Sequence, residues 1–278
     1  MTMVIGVLHP GEMGAAVGAA ARVNRARVVW ASTGRGEATR ARAAAADLED
    51  VGTVERLALE SDLILSICPP ASAIYVARKV AALGFRGVYV DANAVAPDTT
   101  LVIGDIVSGA GAQFVDGGII GPPPHRPGTT RLYLSGLGAA DVAARFTEGP
   151  LTALALDNRI GAASALKMAY AGWNKGSQAL LLAIRALAAR EGVDDALMRE
   201  WALSMPDLAR RTEQAVSSNT KKAWRFVGEM REIASTFATA GLPEGFHEAA
   251  AEIFERMAHW KDAPTPPSVA EVQKALVR

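Results

Sequence analysis

Short apolar runs alternate with helix-like stretches through the first half of this 278-residue chain. The predicted strands are Met3–Leu8, Arg27–Ala31, Leu63–Cys68, Val88–Ala92, Gln113–Asp116, Thr130–Ser135 and Ala153–Leu156. The predicted helices between them are Glu12–Ala21, Thr39–Asp47 and Ala71–Leu83. Strands that alternate with helices of about 10–15 residues imply βαβ units and a parallel sheet. The Gly- and Pro-rich stretch Gly117–Thr130 is expected to be irregular.

The character of the sequence changes near Gly161. No proline occurs from Ala162 to Arg190, which predicts one helix of about 30 residues. Further helices are predicted at Asp195–Ser204, Pro206–Ser217, Ala223–Ala240 and Phe246–His259, where apolar residues recur at three- and four-residue spacing. We therefore predict an α/β Rossmann domain over residues 1–158 and an all-α domain over residues 159–278, joined by the long helix.

A glycine turn lies between the first predicted strand and the first predicted helix. Gly11 lets the backbone approach a pyrophosphate, Gly14 lets the helix pack on the strand, and the helix N-terminus faces the anion. The first glycine of the usual G-x-G-x-x-G pattern is replaced by His9, and a purely structural turn is the alternative. The predicted dinucleotide-binding residues of this turn are His9, Pro10, Gly11, Glu12 and Met13.

The end of the second predicted strand indicates which cofactor binds. An NAD-dependent enzyme places Asp or Glu there, about 20 residues past the glycine turn, on the ribose 2′-hydroxyl. This chain has Ser32, Thr33 and Arg35 instead, and hydroxyl and guanidinium groups suit a 2′-phosphate. We therefore predict NADP(H) as the cofactor. The alternative is that the arginines of this region only solvate the start of a helix.

Four segments, in chain order, resemble the β-hydroxyacid dehydrogenases, relatives of phosphogluconate dehydrogenase. Gly6–Gly14 resembles their opening, and Asp91–Pro97 their D-x-S-T-x-x-P loop beside the nicotinamide. Asp116–Pro122 is similar to their D-A-P-V-S-G-G substrate loop. Lys167, within Gly161–Gly176, aligns with their catalytic lysine, and its surroundings look closest to a branch with a phosphogluconate-dehydrogenase-like C-terminal domain.

This resemblance implies hydride transfer to or from a small carbonyl or hydroxy compound, with Lys167 as general acid/base. It also implies a helical domain that builds a homodimer. Cys68 and Pro69 follow a strand at the sheet's carboxyl end, where the nicotinamide should lie, and Asn93 belongs to the neighbouring loop. We predict these three residues to contact the cofactor. The predicted substrate-binding residues are Gly118, Gly121, Pro122, Tyr170, Asn174, Glu229 and His247.

The sequence around Lys167 supports a functional lysine independently. Lys167, Tyr170 and Asn174 fall on one stripe of the long helix, whose other residues are largely apolar, so we expect the helix to be mostly buried. A buried lysine is costly unless it is paired or functional. Burial also favours the neutral amine, which can exchange a proton near neutral pH. The alternative is a lysine that extends to solvent at an edge.

Three departures from the family pattern leave the reaction open. Ala171 stands where the family has a substrate-fixing Asn, Ile120 replaces the serine of the substrate loop, and Gly228 replaces a cofactor-contacting lysine. A close alternative is therefore imine reduction with the same proton relay. A second alternative is a dinucleotide-binding sensor that has no catalytic activity.

Composition restricts the partners. Acidic and basic residues number 29 each, which argues against a nucleic-acid-binding protein. The single cysteine, Cys68, fits a reducing compartment, and no uncharged apolar run approaches the roughly 20 residues that span a bilayer. The histidines show no metal-ligand spacing, so no metal is predicted. We expect a cytoplasmic homodimer that binds a small-molecule substrate and neither nucleic acid nor membrane.

Overall fold

The computed structural model describes residues 2–277 and divides into two compact units, Met1–Met168 and Ala169–Arg278. The chain passes from the first unit to the second within one long helix. The predicted boundary after residue 158 precedes that helix and stays a prediction.

The first unit is built on an eight-stranded sheet of order β3-β2-β1-β4-β5-β6-β7-β8, in which the pair β6–β7 is antiparallel and the other pairs are parallel. The strands are β1 (Val4–Val7), β2 (Arg27–Trp30), β3 (Glu49–Asp50), β4 (Leu63–Ser66), β5 (Val88–Asp91), β6 (Gln113–Ile120), β7 (Thr130–Ser135) and β8 (Leu151–Ala155). Strand order reverses at β1, which lies between β2 and β4. Ligands of open α/β sheets bind at such a reversal, beyond the carboxyl ends of the strands.

Helices connect most of these strands, and apolar clusters cover both faces of the sheet. The helices of this unit are α1 (Glu12–Val23), α2 (Glu37–Ala45), α3 (Val54–Glu60), α4 (Ala73–Ala82), α5 (Pro97–Gly109) and α6 (Ala139–Ala143). Because side chains alternate along a strand, Ile5 and Val7 join the cluster on one face, and Leu8 joins the cluster on the other. The central strands are therefore buried on both sides, as in other parallel sheets.

Strand β6 is longer than the sequence predicts. The expectation that Gly117–Thr130 is irregular is wrong for its first four residues, because β6 continues through Gly117 and Gly118 to Ile120 and pairs with β7. A Cβ on Gly118 would lie 2.6 Å from the Ala163 carbonyl oxygen and 3.1 Å from the Lys167 Cβ. Gly118 therefore allows the strand to pack closely on a helix, and the two glycines do not mark a turn.

The second unit contains helices only, over its described residues. The long helix α7 (Ala162–Arg190) enters it and is followed by α8 (Asp194–Ser204), α9 (Asp207–Asn219), α10 (Ala223–Thr239), α11 (Gly245–Met257) and α12 (Val269–Leu276). Phe226 of α10 packs edge-on against Phe254 of α11, with ring centroids 5.3 Å apart. The predicted fold class, an α/β sheet domain followed by a helical domain with a long joining helix, is confirmed.

The expectation that α7 is mostly buried is wrong. Trp173, Leu180 and Leu187 of α7 are 72%, 57% and 59% exposed in the single chain. One apolar face of the helix packs inside the unit, and a second apolar face is exposed to solvent in the single chain.

Candidate functional site

The turn after β1 leaves open space beside its backbone. Helix α1 begins at Glu12 with Gly11 as its N-cap, and no side chain among residues 2–277 caps this end. A Cβ placed on Gly11 meets no atom within 4 Å, whereas one on Gly14 would clash with the His9 carbonyl oxygen. Gly14 therefore serves the close packing of helix on strand, as the sequence predicts. Gly11 faces a cradle at a helix N-terminus, which favours an anion.

Two buried polar atoms near this turn have no hydrogen-bond partner among residues 2–277. They are Nδ1 of His9 and Nε of Arg35. Burial, and then the positive charges of Arg35 and Lys79, lower the pKa of His9 to about 4. His9 is therefore neutral at pH 7, and its Nδ1 is a donor in one tautomer. Because buried donors without a partner are rare, an anionic ligand would complete this region.

The segment after β2 is a tight turn held by an acid on the next strand that the sequence analysis missed. Burial of Asp50, at the end of β3, would raise its pKa, but the bonds it accepts from the side chain and the backbone of Ser32 and from the Gly52 amide lower the pKa overall. Arg40 braces the turn from α2 by donating to the carbonyl oxygens of Ser32 (3.1 Å) and Arg35 (3.3 Å). Thr33 is exposed. The Ser32 hydroxyl thus has a protein partner, whereas the buried Nε of Arg35 has none among residues 2–277.

These observations fit a dinucleotide whose phosphates lie at the turn. There is open space beside Gly11, and His9 and Arg35 each carry a buried nitrogen that has no hydrogen-bond partner among residues 2–277. The other predicted residues of the turn take different positions, since Pro10 is buried, Met13 packs against the apolar cluster and Glu12 is exposed. The contacts of all these residues with a cofactor stay predictions.

Cys68, Pro69 and Asn93 lie together at the carboxyl ends of β4 and β5. Asn93 Oδ1 accepts from the Cys68 amide (2.6 Å), and its Nδ2 donates to Ser66 Oγ (3.2 Å) and to the Asp91 carboxyl. Asn93 therefore fastens the two strand ends together. Burial, and then the charge of Asp91, raise the pKa of the Cys68 thiol to about 12. A thiol with this pKa stays protonated at neutral pH and is not a nucleophile.

Two buried aspartates occupy matching positions on neighbouring strands. Asp91 of β5 pairs in register with Asp116 of β6, and they are 1% and 0% exposed. Burial, and then repulsion from Asp116, raise the pKa of Asp91 to about 8. Asp91 Oδ2 has no hydrogen-bond partner among residues 2–277, which fits a carboxyl that keeps its proton.

Lys167 belongs to the first unit and contacts the same strand, β6. Its side chain is partly buried, and its Nζ donates to the Ile119 carbonyl oxygen at 2.7 Å. Because β5 ends at Asp91, in register with Asp116, Ile119 lies beyond the carboxyl edge of that part of the sheet. The ammonium is therefore held at the edge where ligands of such sheets bind.

The predicted substrate residues of the β6 region play different structural parts. Gly118 is buried and packs against α7, so the space beside it belongs to Ala163 and Lys167. Gly121 has φ +125°, and a Cβ there would clash with the Thr129 carbonyl oxygen. Pro122 is exposed, and its carbonyl oxygen accepts from Thr130 Oγ1 at 2.5 Å. Gly121 and Pro122 therefore form a fixed, open turn just after Ile119 and Ile120.

The remaining predicted substrate residues lie in the helical unit. Tyr170 and Asn174 are exposed on α7, and Asn174 Oδ1 accepts from Gln178 (3.1 Å). Glu229 pairs with Lys175, whose ammonium also lies 4.3 Å from the Phe226 ring centre.

His247, a residue of α11, packs against a face of α7 that does not carry Asn174. It is buried beside Gly172 and Gly176, and its ring contacts Phe237 with centroids 4.4 Å apart. Desolvation lowers its pKa. Within the helical unit, the structure thus brings Glu229 and His247 to α7, and it separates His247 from the stripe of Asn174.

Among residues 2–277, no helix combines the length and apolar character needed to cross a bilayer. That part of the chain likewise contains no group of three or more His, Cys, Asp or Glu side chains placed to hold a metal ion. Cys68 is a free thiol.

Residues 188–257 match the family described as a domain of unknown function, DUF1932. This segment lies in the helical unit. A comparison with curated proteins finds no match.

Solved structures resemble the chain over nearly its whole length. A conserved hypothetical protein from Sinorhizobium meliloti is 26% identical, covers 99% of this chain and 96% of its own, and has a TM-score of 0.66. The Mycobacterium tuberculosis 3-hydroxyisobutyrate dehydrogenase, described with L-serine, is 15% identical, covers 100% of both chains and has a TM-score of 0.73. A reductive aminase from Aspergillus terreus, described with NADPH and ethyl levulinate, is 17% identical, covers 99% of both chains and has a TM-score of 0.57.

These similarities concern the fold. The chain has the two-domain architecture of the 3-hydroxyisobutyrate dehydrogenase-like proteins. The fold that the resemblance to the β-hydroxyacid dehydrogenases implies, predicted from four sequence segments, is thereby confirmed.

Proposed function

We propose that this chain is an NADP(H)-dependent oxidoreductase of the β-hydroxyacid dehydrogenase type, acting on a small carbonyl or hydroxy compound. One observation carries the proposal. The Nζ of Lys167 is held by the Ile119 carbonyl at the carboxyl edge of the sheet, in the same unit as the open glycine turn. The dehydrogenase and the reductive aminase described above share this fold.

Lys167 is the general acid/base of the proposed reaction. A bound NADPH supplies the hydride, and the oxygen that becomes a hydroxyl must receive one proton. The lysine ammonium has three N–H donors, and the bond from one of them to the Ile119 carbonyl fixes the direction of the side chain. In the opposite direction the neutral amine takes the proton from the substrate hydroxyl.

The proposal is tested by turnover. The purified protein is incubated with NADPH and separate panels of oxo acids, aldehydes and cyclic imines, and NADPH consumption is followed. We expect turnover on at least one compound of the first two panels. Tight NADPH binding without turnover on any panel would overturn the proposal and support a dinucleotide-binding sensor.

Imine reduction is the second candidate, because the wall next to Lys167 is apolar. Ile120 is 5% exposed and stands where the family's substrate loop carries a serine, so a substrate carboxylate finds no hydroxyl there. An imine needs no carboxylate anchor, and Lys167 would deliver the proton to nitrogen. Turnover confined to the cyclic imines would favour this candidate over the first.

Arg35 is proposed to bind the 2′-phosphate of the cofactor. Its buried Nε has no partner among residues 2–277, and a charge-assisted bond to phosphate would supply one. We expect Arg35→Ala to raise the Kd of NADPH by about 10- to 100-fold, as the loss of a hydrogen bond between charged groups implies. The Kd of NADH should change by less than about twofold, because NADH lacks the phosphate. Both constants are measured by cofactor fluorescence titration.

Arg145→Ala is the matched control for this measurement. Arg145 is an exposed arginine that follows α6, and it lines a cleft with Thr2 and Asn24, residues before β1 and after α1. This variant should keep the wild-type preference for NADPH. If Arg35→Ala also keeps it, the assignment of Arg35 to the 2′-phosphate is wrong.

The open apolar face of the helical unit is proposed to bind a second copy of the chain. A groove of about 750 Å³ lies among α7, α8 and α9 and is lined by Trp173, Leu181, Trp201 and Met205. Trp173 and Met205 are 72% and 48% exposed. Contiguous exposed apolar surface of this kind marks an interaction site. A homodimer would cover it.

Two charge substitutions test the dimer. Trp173→Glu and Leu180→Lys should each weaken dimerisation at least 30-fold, since a buried aromatic or aliphatic anchor contributes about 2 kcal/mol or more. Analytical ultracentrifugation gives the dimer constant. Leu59→Lys is the control, because Leu59 of α3 is 85% exposed but lies in the other unit. A monomeric wild-type protein, or dimers that survive both substitutions, would contradict this proposal.

A further inference from the structure

We propose that Asp116 is a positioning residue, which aligns Lys167 by clamping the N-terminus of α7 to strand β6. This inference rests on the proposed function, because it assigns Asp116 a part in the reaction only through Lys167. It adds a residue that does not touch substrate or cofactor.

Two of the first amides of helix α7 donate to side chains of the sheet. The amide of Ser164 donates to Asp116 Oδ2 at 3.0 Å, and the amide of Ala163 donates to Ser135 Oγ at 3.0 Å. Ser135 Oγ in turn donates to the same Asp116 oxygen at 2.9 Å. The first amides of a helix have no partner within the helix. Here the Asp116 carboxylate supplies one directly and one through a serine.

The second carboxylate oxygen of Asp116 is also engaged. Ser164 Oγ donates to Asp116 Oδ1 at 2.6 Å, and the hydroxyl of Thr100 lies 2.7 Å from Ser164 Oγ. Because the Ser164 hydroxyl proton is used on Asp116, Thr100 is the donor in the second bond. Both oxygens of Asp116 therefore act as acceptors, as in a carboxylate that carries no proton. All of these side chains are at most 1% exposed.

The same strand holds Lys167 at a second point. Lys167 follows Ser164 by three residues, almost one turn of α7. Its Nζ donates to Ile119, three residues after Asp116 on β6, and Gly118 lets the strand approach the Lys167 Cβ closely. Strand β6 thus fixes both the start of the helix and the tip of the lysine. A change at either point moves the ammonium relative to the sheet edge.

Charge makes Asp116 more than a hydrogen-bond acceptor. The first turn of α7 contains no acidic residue of its own. A negative charge near a helix N-terminus is stabilised by the helix dipole. Both oxygens of Asp116 accept hydrogen bonds from the start of α7, which is the geometry of a carboxylate at a helix N-terminus. Asparagine at position 116 would remove the charge and one of the acceptor oxygens.

The test is a double-mutant cycle of Asp116→Asn and Lys167→Ala on the best substrate found above. We expect Asp116→Asn alone to lower kcat by about 10- to 100-fold, as a misplacement near 1 Å does. The Kd of NADPH should stay within threefold. In the Lys167→Ala background the same substitution should cause no further loss, because a residue that acts through Lys167 has no effect without it. Asp105→Asn, an exposed aspartate of α5, is the control and should match the wild type.

Three outcomes would overturn the inference. They are an unchanged kcat in Asp116→Asn, an equal loss in the presence and absence of Lys167, and a parallel loss of NADPH binding. Full activity of Lys167→Ala would instead overturn the proposed mechanism, so the two failures are distinguishable.

A milder variant keeps the inference testable if Asp116→Asn does not fold. Ser135→Ala removes the acceptor of the Ala163 amide and one donor to Asp116, and it keeps the Asp116 carboxyl group itself. It should lower kcat by a smaller factor, and hydrogen exchange of the amides at the start of α7 should become faster. Unchanged exchange at Ala163 and Ser164 would show that no clamp exists.

Discussion

Lys167→Ala should lower kcat by about 10²- to 10⁴-fold, the contribution typical of a positioned general acid or base. The reason is that the Lys167 ammonium is the group bonded to the Ile119 carbonyl oxygen near the end of β6. The Kd of NADPH should change little, because the turn with His9, Gly11 and Arg35 is untouched. Stopped-flow hydride transfer and fluorescence titration measure the two quantities.

A control variant and a chemical rescue experiment accompany this measurement. Lys274→Ala removes an exposed lysine of α12 and should leave kcat unchanged. Added small alkylamines should restore part of the activity of Lys167→Ala if the missing group is a proton donor. Retention of full activity on a true substrate would show that Lys167 has no part in the reaction.

Much of the fold could be predicted from the sequence, because its strands and long helices have strong periodicity. Two helices that the sequence analysis missed, α5 and α12, have weaker periodicity, but residues in their first turns mark where they begin. Helix α5 begins with Pro97 at its first position, and α12 begins with the capping box of Ser268 and Glu271. Both signals are readable in sequence. The two-residue strand β3 carries no such signal, and only its pairing with β2 defines it.

The error at β6 has a different cause. Glycine is a turn former in isolation, and a run such as Gly117-Gly118 therefore indicates an irregular segment. In the folded chain, Gly118 lies against Ala163 and Lys167, where no side chain would fit. That constraint comes from a helix 45 residues or more further along the chain. Local reasoning cannot detect it.

The sequence identifies residues of the candidate site by their type, but it does not show which residues they contact. Lys167 and Arg35 stand out in sequence as charged groups in segments of recognisable pattern. Asp116 and Asp50 do not stand out, because their importance depends on what lies opposite them: the start of α7 for Asp116 and the Ser32 turn for Asp50. The register of β5 and β6, which places two aspartates side by side, follows only from the sheet.

Asp91→Asn should make the protein more stable at pH 8 than the wild type. In the folded chain the pKa of Asp91 is about 8, whereas an aspartate of an unfolded chain has a pKa of about 3.9. Between these values the folded state binds a proton that the unfolded state has released, so the free energy of unfolding falls as pH rises. The loss approaches several kcal/mol across the window, at about 1.4 kcal/mol per pH unit. Below pH 4 both states are protonated and the loss vanishes.

Asparagine imitates the protonated carboxyl and does not titrate. Its oxygen can still accept from Asn93, so the variant should match the wild type within about 1 kcal/mol at pH 4 and exceed it increasingly up to pH 8. Urea unfolding at several pH values measures the difference, and Asp105→Asn should show no such trend. A wild type whose stability is flat between pH 5 and pH 8 would contradict the prediction.

The two aspartates of the pair should therefore respond to the same substitution in opposite directions. Asp91→Asn removes the cost of a second negative charge and stabilises the protein at pH 8. Asp116→Asn destabilises it at pH 8, because the amide and hydroxyl groups at the start of α7 lose a charged acceptor. If the proton of the pair belonged to Asp116, the order would be reversed, since then Asp116→Asn would be the stabilising change. The sign of these two differences thus decides which carboxyl holds the helix of Lys167.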